Sequence, residues 1–298
     1  MADWMTNPLE VVKLGPLMHR TSGNPEIIIG LIDGPVAADV PAFFAERIRG
    51  IPGKLKTECN DQSSSACLHG TFIAGILSAK RGSVAPAICP GCTLLVRPVF
   101  AESKPSGKPP STTPDELSRA IFECIEAGAR IINLSVAVSQ SSPNGERELK
   151  QALDQALRRG VVVVAAAGNQ GTLDSSAITG HPWLIPVVAC DSRGKPIEQS
   201  NLGLSIGTHG LRAPGEGVMS VDGSGKSAAR GGTSVAAPFV TGAAALLWSE
   251  FTRASAAKIK FAVTRSYALG RRTVVPPLLN AWESYEFLAS PEGRRRIA

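Results

Sequence analysis

Residues 27–32 read IIIGLI, an unbroken apolar run with no polar alternation. A strand with one wet face alternates, so a run of this kind marks a strand buried on both faces, as in a parallel sheet covered by helices. Comparable runs recur at residues 93–99, 130–134, 161–167 and 184–189. Between them lie stretches of helical period. Residues 113–127 open with Pro114, Asp115 and Glu116, which suit a first helical turn, and residues 146–159 stop before Gly160. The alternation predicts an α/β fold with a mostly parallel central sheet. In such sheets ligands gather at the carboxyl ends of the strands, so chemistry is to be sought there.

A chain of 298 residues with 43% apolar content can form one large domain or two small ones, and the even alternation favours one spanning 1–298. Within it, residues 1–25 read as an opening helix or arm, and 290–298 as a basic C-terminal tail. The segments richest in Ser, Pro, Gly and Lys, 101–112 and 139–146, are expected to be exposed flaps. A net charge of +6 could attract nucleic acid, an anionic membrane or an acidic peptide. However, the densest basic run, Arg294-Arg295-Arg296, is terminal. The pairs Arg158-Arg159 and Arg271-Arg272 stand beside Gly160 and Gly270, where helices end and cations complement the dipole. With no nucleic-acid motif, the expectation is a solvated charge surplus and neither a nucleic-acid nor a membrane partner. Residues 1–20 hold no apolar run of the ~7–15 residues of a secretory leader, and no stretch approaches the ~20 of a membrane span. A cytoplasmic protein is expected, although a secreted form trimmed of its leader would read the same.

Among the cysteines, Cys124 and Cys190 lie in apolar stretches and read as buried small hydrophobes. Cys59/Cys67 and Cys89-Pro-Gly-Cys92 form two close pairs, open to three readings: disulfides, free thiols or a four-thiolate zinc site.

Four strand ends and helix starts carry reactive groups. The first apolar run leads into Asp33-Gly34, which puts a carboxylate at a carboxyl edge. Leu68-His69-Gly70-Thr71 precedes the apolar segment 72–77, placing an imidazole at a helix start. The run at 161–167 ends in Gly168-Asn169, and Gly231-Gly232-Thr233-Ser234 precedes a long small-residue helix over 235–248. A serine hydroxyl needs a base to take its proton, and histidine serves near neutral pH. A buried carboxylate fixes the imidazole tautomer, and an amide side chain can donate to an oxyanion. Taken singly these blocks are ordinary: Asp-Gly after a strand makes a turn, and Gly-Thr-Ser before a helix makes a cap. His181, His209, Asp191 and Asp222 lack any partner motif and read as surface or packing groups.

Together, Ile32-Asp33-Gly34, His69-Gly70-Thr71, Ala167-Gly168-Asn169 and Gly232-Thr233-Ser234-Val235-Ala236-Ala237-Pro238 resemble the signature blocks of the subtilisin family, in its chain order Asp, His, Ser. The resemblance covers roughly residues 25–265. It implies a subtilisin-like three-layer αβα fold and a serine endopeptidase acting on a peptide or protein substrate; for this chain no cofactor and no metal are expected. Asp33, His69 and Ser234 would be the catalytic triad, with Asn169 and the Ser234 amide as oxyanion donors. Pro238 would bend the central helix. Asn133-Leu134-Ser135-Val136-Ala137 would pair with substrate, with Ser135, Val136 and Ala137 lining the S1 pocket and Ala165, Ala166, Ala167 and Gly168 forming its opposite wall. The family usually has glycine where Ala137 stands, which implies a narrower or differently floored pocket.

The chain also departs from the family. Asp33 lies too near the start for a prodomain to precede it, so one was removed or the enzyme folds without it. Many members bind calcium through a loop inserted after the catalytic histidine. Here residues 75–86 (GILSAKRGSVAP) contain no carboxylate and two cations, which disfavours calcium at that place. Asp33-Gly34-Pro35-Val36, the Ala85-Pro86…Cys89-Pro90-Gly91-Cys92 segment and residues 96–100 are similar to intracellular proteases that trim ribosomal precursor peptides in cyanobactin pathways. Macrocyclising relatives carry a helical insertion between the Asp and His blocks. The 36-residue separation of Asp33 and His69 leaves little room for one, so hydrolysis is expected over cyclisation. A transacylase and a catalytically silent peptide-binding scaffold are the alternatives.

Overall fold

The computed structural model describes residues 7–53, 55–102, 111–138, 143–173, 176, 178–265 and 273–295. Most of the two expected flaps (103–110 and 139–142), Arg271, Arg272, Arg296 and the side chains of Ala137, Arg294 and Arg295 lie outside what is described.

In chain order the strands are β1 (Ile28–Asp33), β2 (Ile48–Gly50), β3 (Thr93–Pro98), β4 (Ser111–Thr112), β5 (Ile131–Leu134), β6 (Ala137–Val138), β7 (Val162–Ala166), β8 (Leu184–Cys190), β9 (Leu211–Pro214), β10 (Val218–Val221) and β11 (Ser227–Arg230). The helices are α1 (Pro8–Val11), α2 (Gly15–Arg20), α3 (Ser65–Ser78), α4 (Pro114–Glu126), α5 (Pro143–Arg159), α6 (Leu204–His209), α7 (Thr233–Glu250), α8 (Ala256–Thr264), α9 (Ala281–Ala289) and α10 (Pro291–Arg295).

The main sheet runs β2-β3-β1-β5-β7-β8-β9, with every neighbouring pair parallel. Its five inner strands are the five apolar runs of the sequence. The short edges β2 and β9 were not legible there. Alternate residues of each strand enter opposite cores, as the pleat requires. Ile29, Leu31, Ile131, Val162 and Val164 join a cluster with α3 and α7. Ile32, Ile132, Leu134 and Val163 join one with α4 and α5. The result is the expected three-layer α/β architecture. Helix α7 is buried on nearly all sides from Val235 to Trp248, which accounts for its lack of a polar face.

Several boundaries differ from those expected. Helix α3 begins at Ser65 rather than at His69, because the Ser64 hydroxyl caps it by accepting from Cys67 N. His69 therefore sits inside a helix, one turn from its start. Helix α5 begins at Pro143, so residues 143–146 belong to a helix and not to a flap. The opening segment forms α1 and α2 and buries Leu14 and Leu17 completely. The expected C-terminal tail folds over Pro291–Arg295 as α10. Among the described residues no helix is long and apolar enough to cross a membrane.

Arg97 on β3 is almost fully buried and pairs with Glu116 and Glu123 of α4, so the charge sunk beneath the sheet is compensated. The cations of the 75–86 segment are likewise occupied. Lys80 Nζ donates to Pro41 O (2.9 Å). Arg81 donates to Met18 O (2.5 Å), Thr21 O (2.8 Å) and Ile88 O (3.1 Å), so one guanidinium staples α2 to the loop leading into β3. Replacing it by Met leaves three carbonyls without their charged donor. Arg81→Met is expected to lose about 3 kcal/mol in denaturant unfolding; an unchanged midpoint would refute the staple.

Burial pushes the Cys124 and Cys190 thiols up to about 12, as befits core residues. Cys59 and Cys67 are joined in a disulfide, whereas Cys89 and Cys92 are free and buried. Cys89 is held well above the usual thiol range, first by its hydrogen bond with Cys92 and then by burial. The disulfide takes two of the four sulfurs away from any shared zinc site. Among the described residues no cluster of three or more metal-binding side chains occurs.

Candidate active site

Three adjacent strands deliver their carboxyl ends to one place. β1 ends in Asp33, with Ile32 paired to Leu134 of β5, and Leu134 in turn paired to Ala165 of β7. Residues 135–137 and 166–168 thus leave neighbouring strands side by side, flanking a cleft.

Asp33 is fully buried and His69 is 16% exposed at its side chain. His69 Nδ1 donates to Asp33 Oδ1 at 2.6 Å, and Gly34 N donates to the same oxygen at 2.6 Å. Oδ2 finds no donor among the described protein groups. The spacing is set by backbone contact. A Cβ on Gly34 would lie 2.0 Å from Ala66 O, and one on Gly70 would lie 2.5 Å from Pro35 O. Only glycine permits β1 and α3 to cross this closely. Two further ties hold the crossing: Thr71 Oγ1 accepts from Ala37 N (3.0 Å), and the Cys59–Cys67 disulfide fastens the preceding loop to α3 two residues before His69.

Ser234 lies in the first turn of α7, where backbone N–H groups have no intrahelical acceptor. The Ser135 hydroxyl donates to its carbonyl (2.9 Å) and accepts from Asn133 Nδ2 (2.8 Å). Asn133 Oδ1 accepts from Thr241 (2.8 Å), which locks β5 to α7. Ser234 is half-buried, and its hydroxyl makes no hydrogen bond to a described residue. In free enzymes the bond from nucleophile to base is often long and tightens with substrate.

Asn169 stands exposed beyond β7. Its Oδ1 accepts from Thr233 N (2.8 Å) and from the Thr233 hydroxyl (3.0 Å), which accepts from Gly168 N (3.2 Å). With the oxygen engaged on both counts, Nδ2 is the end left to donate, on the residue tied to the one preceding Ser234. Thr233 was missed as a working residue in the sequence, although it stands in the Gly-Thr-Ser block. The amide loop beyond is braced by Asn201, whose Oδ1 accepts from Gln170 N (2.9 Å).

The other expected residues divide. Ser135 is buried and Val136 half-buried at the cleft, and the Ala137 backbone forms β6, paired in parallel with Ser111 of β4. On the opposite wall Ala166 and Gly168 are half-buried, while Ala165 and Ala167 turn into core clusters. Pro238 lies inside α7. His181 is buried with Nε2 3.2 Å from Asp154 Oδ1, and His209 Nε2 faces Thr179 O. Burial holds the His209 imidazole below its usual value. Asp191 and Asp222 each accept backbone amides in tight turns. None of these four adjoins the cleft residues through a hydrogen bond.

Residues 26–277 match the model of the family described as Subtilase family. Subtilisin DY of Bacillus licheniformis is 33% identical over 257 residues, covering 85% of this chain and 87% of that protein. Against several further Bacillus subtilisins the chain spans 59% of the relative's length. Among solved structures, the Prenylagaramide maturation protease PagA superposes with a TM-score of 0.79 at 29% identity, over 92% of this chain and 97% of that one. The PatG macrocyclase in complex with peptide superposes with a TM-score of 0.78 over 92% and 94% of the two chains. At 20% identity that likeness concerns the fold alone.

Proposed function

The chain belongs to the subtilase family and is a serine protease, and from that premise we propose that it works as an endopeptidase through an acyl-enzyme on Ser234. His69 takes the hydroxyl proton as Ser234 attacks, then returns it to the leaving amine. Asp33 holds the ring with Nδ1 protonated and stabilises the imidazolium. Asn169 Nδ2 and the Ser234 amide receive the oxyanion. The observation that carries this reading is the 2.6 Å bond between His69 Nδ1 and a fully buried Asp33, on a helix that packs against the one bearing Ser234.

The substrate class that fits best is a precursor peptide, by likeness to the maturation protease PagA. The acyl side of the peptide would run along residues 135–137, with Ala166 and Gly168 opposite. Between Asp33 and the cap of α3 the described residues form one short 3₁₀ turn and β2, with no α-helix. That supports water, rather than an amine sheltered by an inserted helix, as the acceptor of the acyl group.

A serine-directed fluorophosphonate is expected to label Ser234 and to lose that label in His69→Ala, read by peptide mapping. A folded protein with no label on Ser234 would refute the triad. Asn169→Ala is expected to lower kcat by about 10²–10³-fold with little change in KM, since the donor acts on charge that develops only in the transition state. A rise in KM at constant kcat would instead assign Asn169 to ground-state binding.

A further inference from the structure

Arg230 ends β11, four residues before Ser234, and none of the roles above uses it. The residue is half-buried, yet its Nε is enclosed with no hydrogen-bond partner among the described residues. No acid lies within ion-pair distance of its guanidinium among the described residues. Asp222, on the same hairpin, spends its carboxylate on Ser224 and Lys226. Its Cζ lies over the Phe72 ring, 5.7 Å from the centroid. Phe72 is one turn beyond His69 on α3 and is itself fixed, because its carbonyl accepts from Ser220 Oγ of β10 (2.8 Å). A half-buried guanidinium whose Nε is enclosed and unpartnered, with no acid beside it among the described residues, calls for a reason.

Its position supplies one. The acyl part of a substrate lies by residues 135–137, whose Ser135 touches the Ser234 carbonyl. The leaving amine must lie over His69, since that ring protonates it. Arg230 stands on the His69 side, held by the helix that carries the ring. We propose that Arg230 determines specificity by receiving a carboxylate on the segment released after the scissile bond. The carboxylate is an acidic side chain there, or the terminal carboxylate of a short released segment. A planar guanidinium suits either, because it can grip a carboxylate through two parallel bonds. This inference rests on the proposed chemistry at Ser234.

The test uses internally quenched peptides that differ only by Glu or Gln at the first, second or third position after the scissile bond. A second set ends at these positions in a free carboxylate or an amide. Wild-type kcat/KM is expected to favour the carboxylate by about tenfold in one set. Which set responds tells a side chain from a chain end. The preference is expected to shrink with salt and to fall to about one in Arg230→Gln, while Arg230→Lys keeps part of it. The ratio is internal to each variant, so a smaller folded fraction leaves it unaltered. A ratio near one throughout for the wild type, or one that survives in Arg230→Gln, overturns the proposal. Peptides that go uncut by a protein whose Ser234 also resists fluorophosphonate would instead overturn the triad.

Discussion

Replacing Ser234 with alanine is expected to lower peptide turnover by on the order of 10⁶-fold, with His69→Ala costing about as much and the double variant no more than either. The lack of additivity follows from the chemistry. Without the imidazole the hydroxyl keeps its proton, and without the hydroxyl the imidazole has nothing to activate. What persists is acceleration of about 10³–10⁴ over water from the oxyanion donors and from binding. Folding should not suffer, because the Ser234 hydroxyl makes no hydrogen bond to a described residue, and α7 is anchored through the Ser234 carbonyl and its apolar body. Single-turnover kinetics of the three variants, beside their unfolding curves, decide the matter. Wild-type turnover in Ser234→Ala would end the assignment.

Asp33→Asn is expected to lower kcat by about 10⁴-fold. Asp33 Oδ1 is the acceptor for both His69 Nδ1 and Gly34 N. An amide removes the negative charge that stabilises the imidazolium. If its nitrogen faces the ring, Nδ1 must accept, and the proton moves to the nitrogen that should face Ser234. The substitution preserves volume at a site with no exposed surface, so a large kinetic loss should accompany a small change in stability. A variant that kept its kcat would show that Asp33 only packs.

The inner sheet was legible in the sequence because strands buried on both faces need unbroken apolar runs, and the comparable run at 72–77 was set apart by the helix-start block before it. The candidate site residues could be picked out because four blocks occur jointly in one order. Elsewhere the determinants are not local. β2 and β9 are short edges of mixed composition, IRG and LRAP, whose strand geometry comes from pairing with β3 and β8. The start of α3 was missed because Ser65, Ala66 and Cys67 show no apolar periodicity and only the Ser64 cap announces them. Arg81, read in the sequence as a cation where carboxylates would be wanted, proves to serve backbone carbonyls at the distant end of α2 and at nearby Ile88. For Arg230 the informative fact is a missing partner, and no pattern along the chain can reveal that.

The bare crossing of β1 and α3 has a consequence for how such an enzyme can change over generations. Loops around the cleft can lengthen, shorten and alter their side chains while Asp33 and His69 stay in register. Residues 34 and 70 have no such freedom, because any added atom must displace a carbonyl of the opposing segment. Divergence in what the protein cuts is therefore free to accumulate at the rim. The distance between carboxylate and imidazole is inherited as a pair of absent side chains.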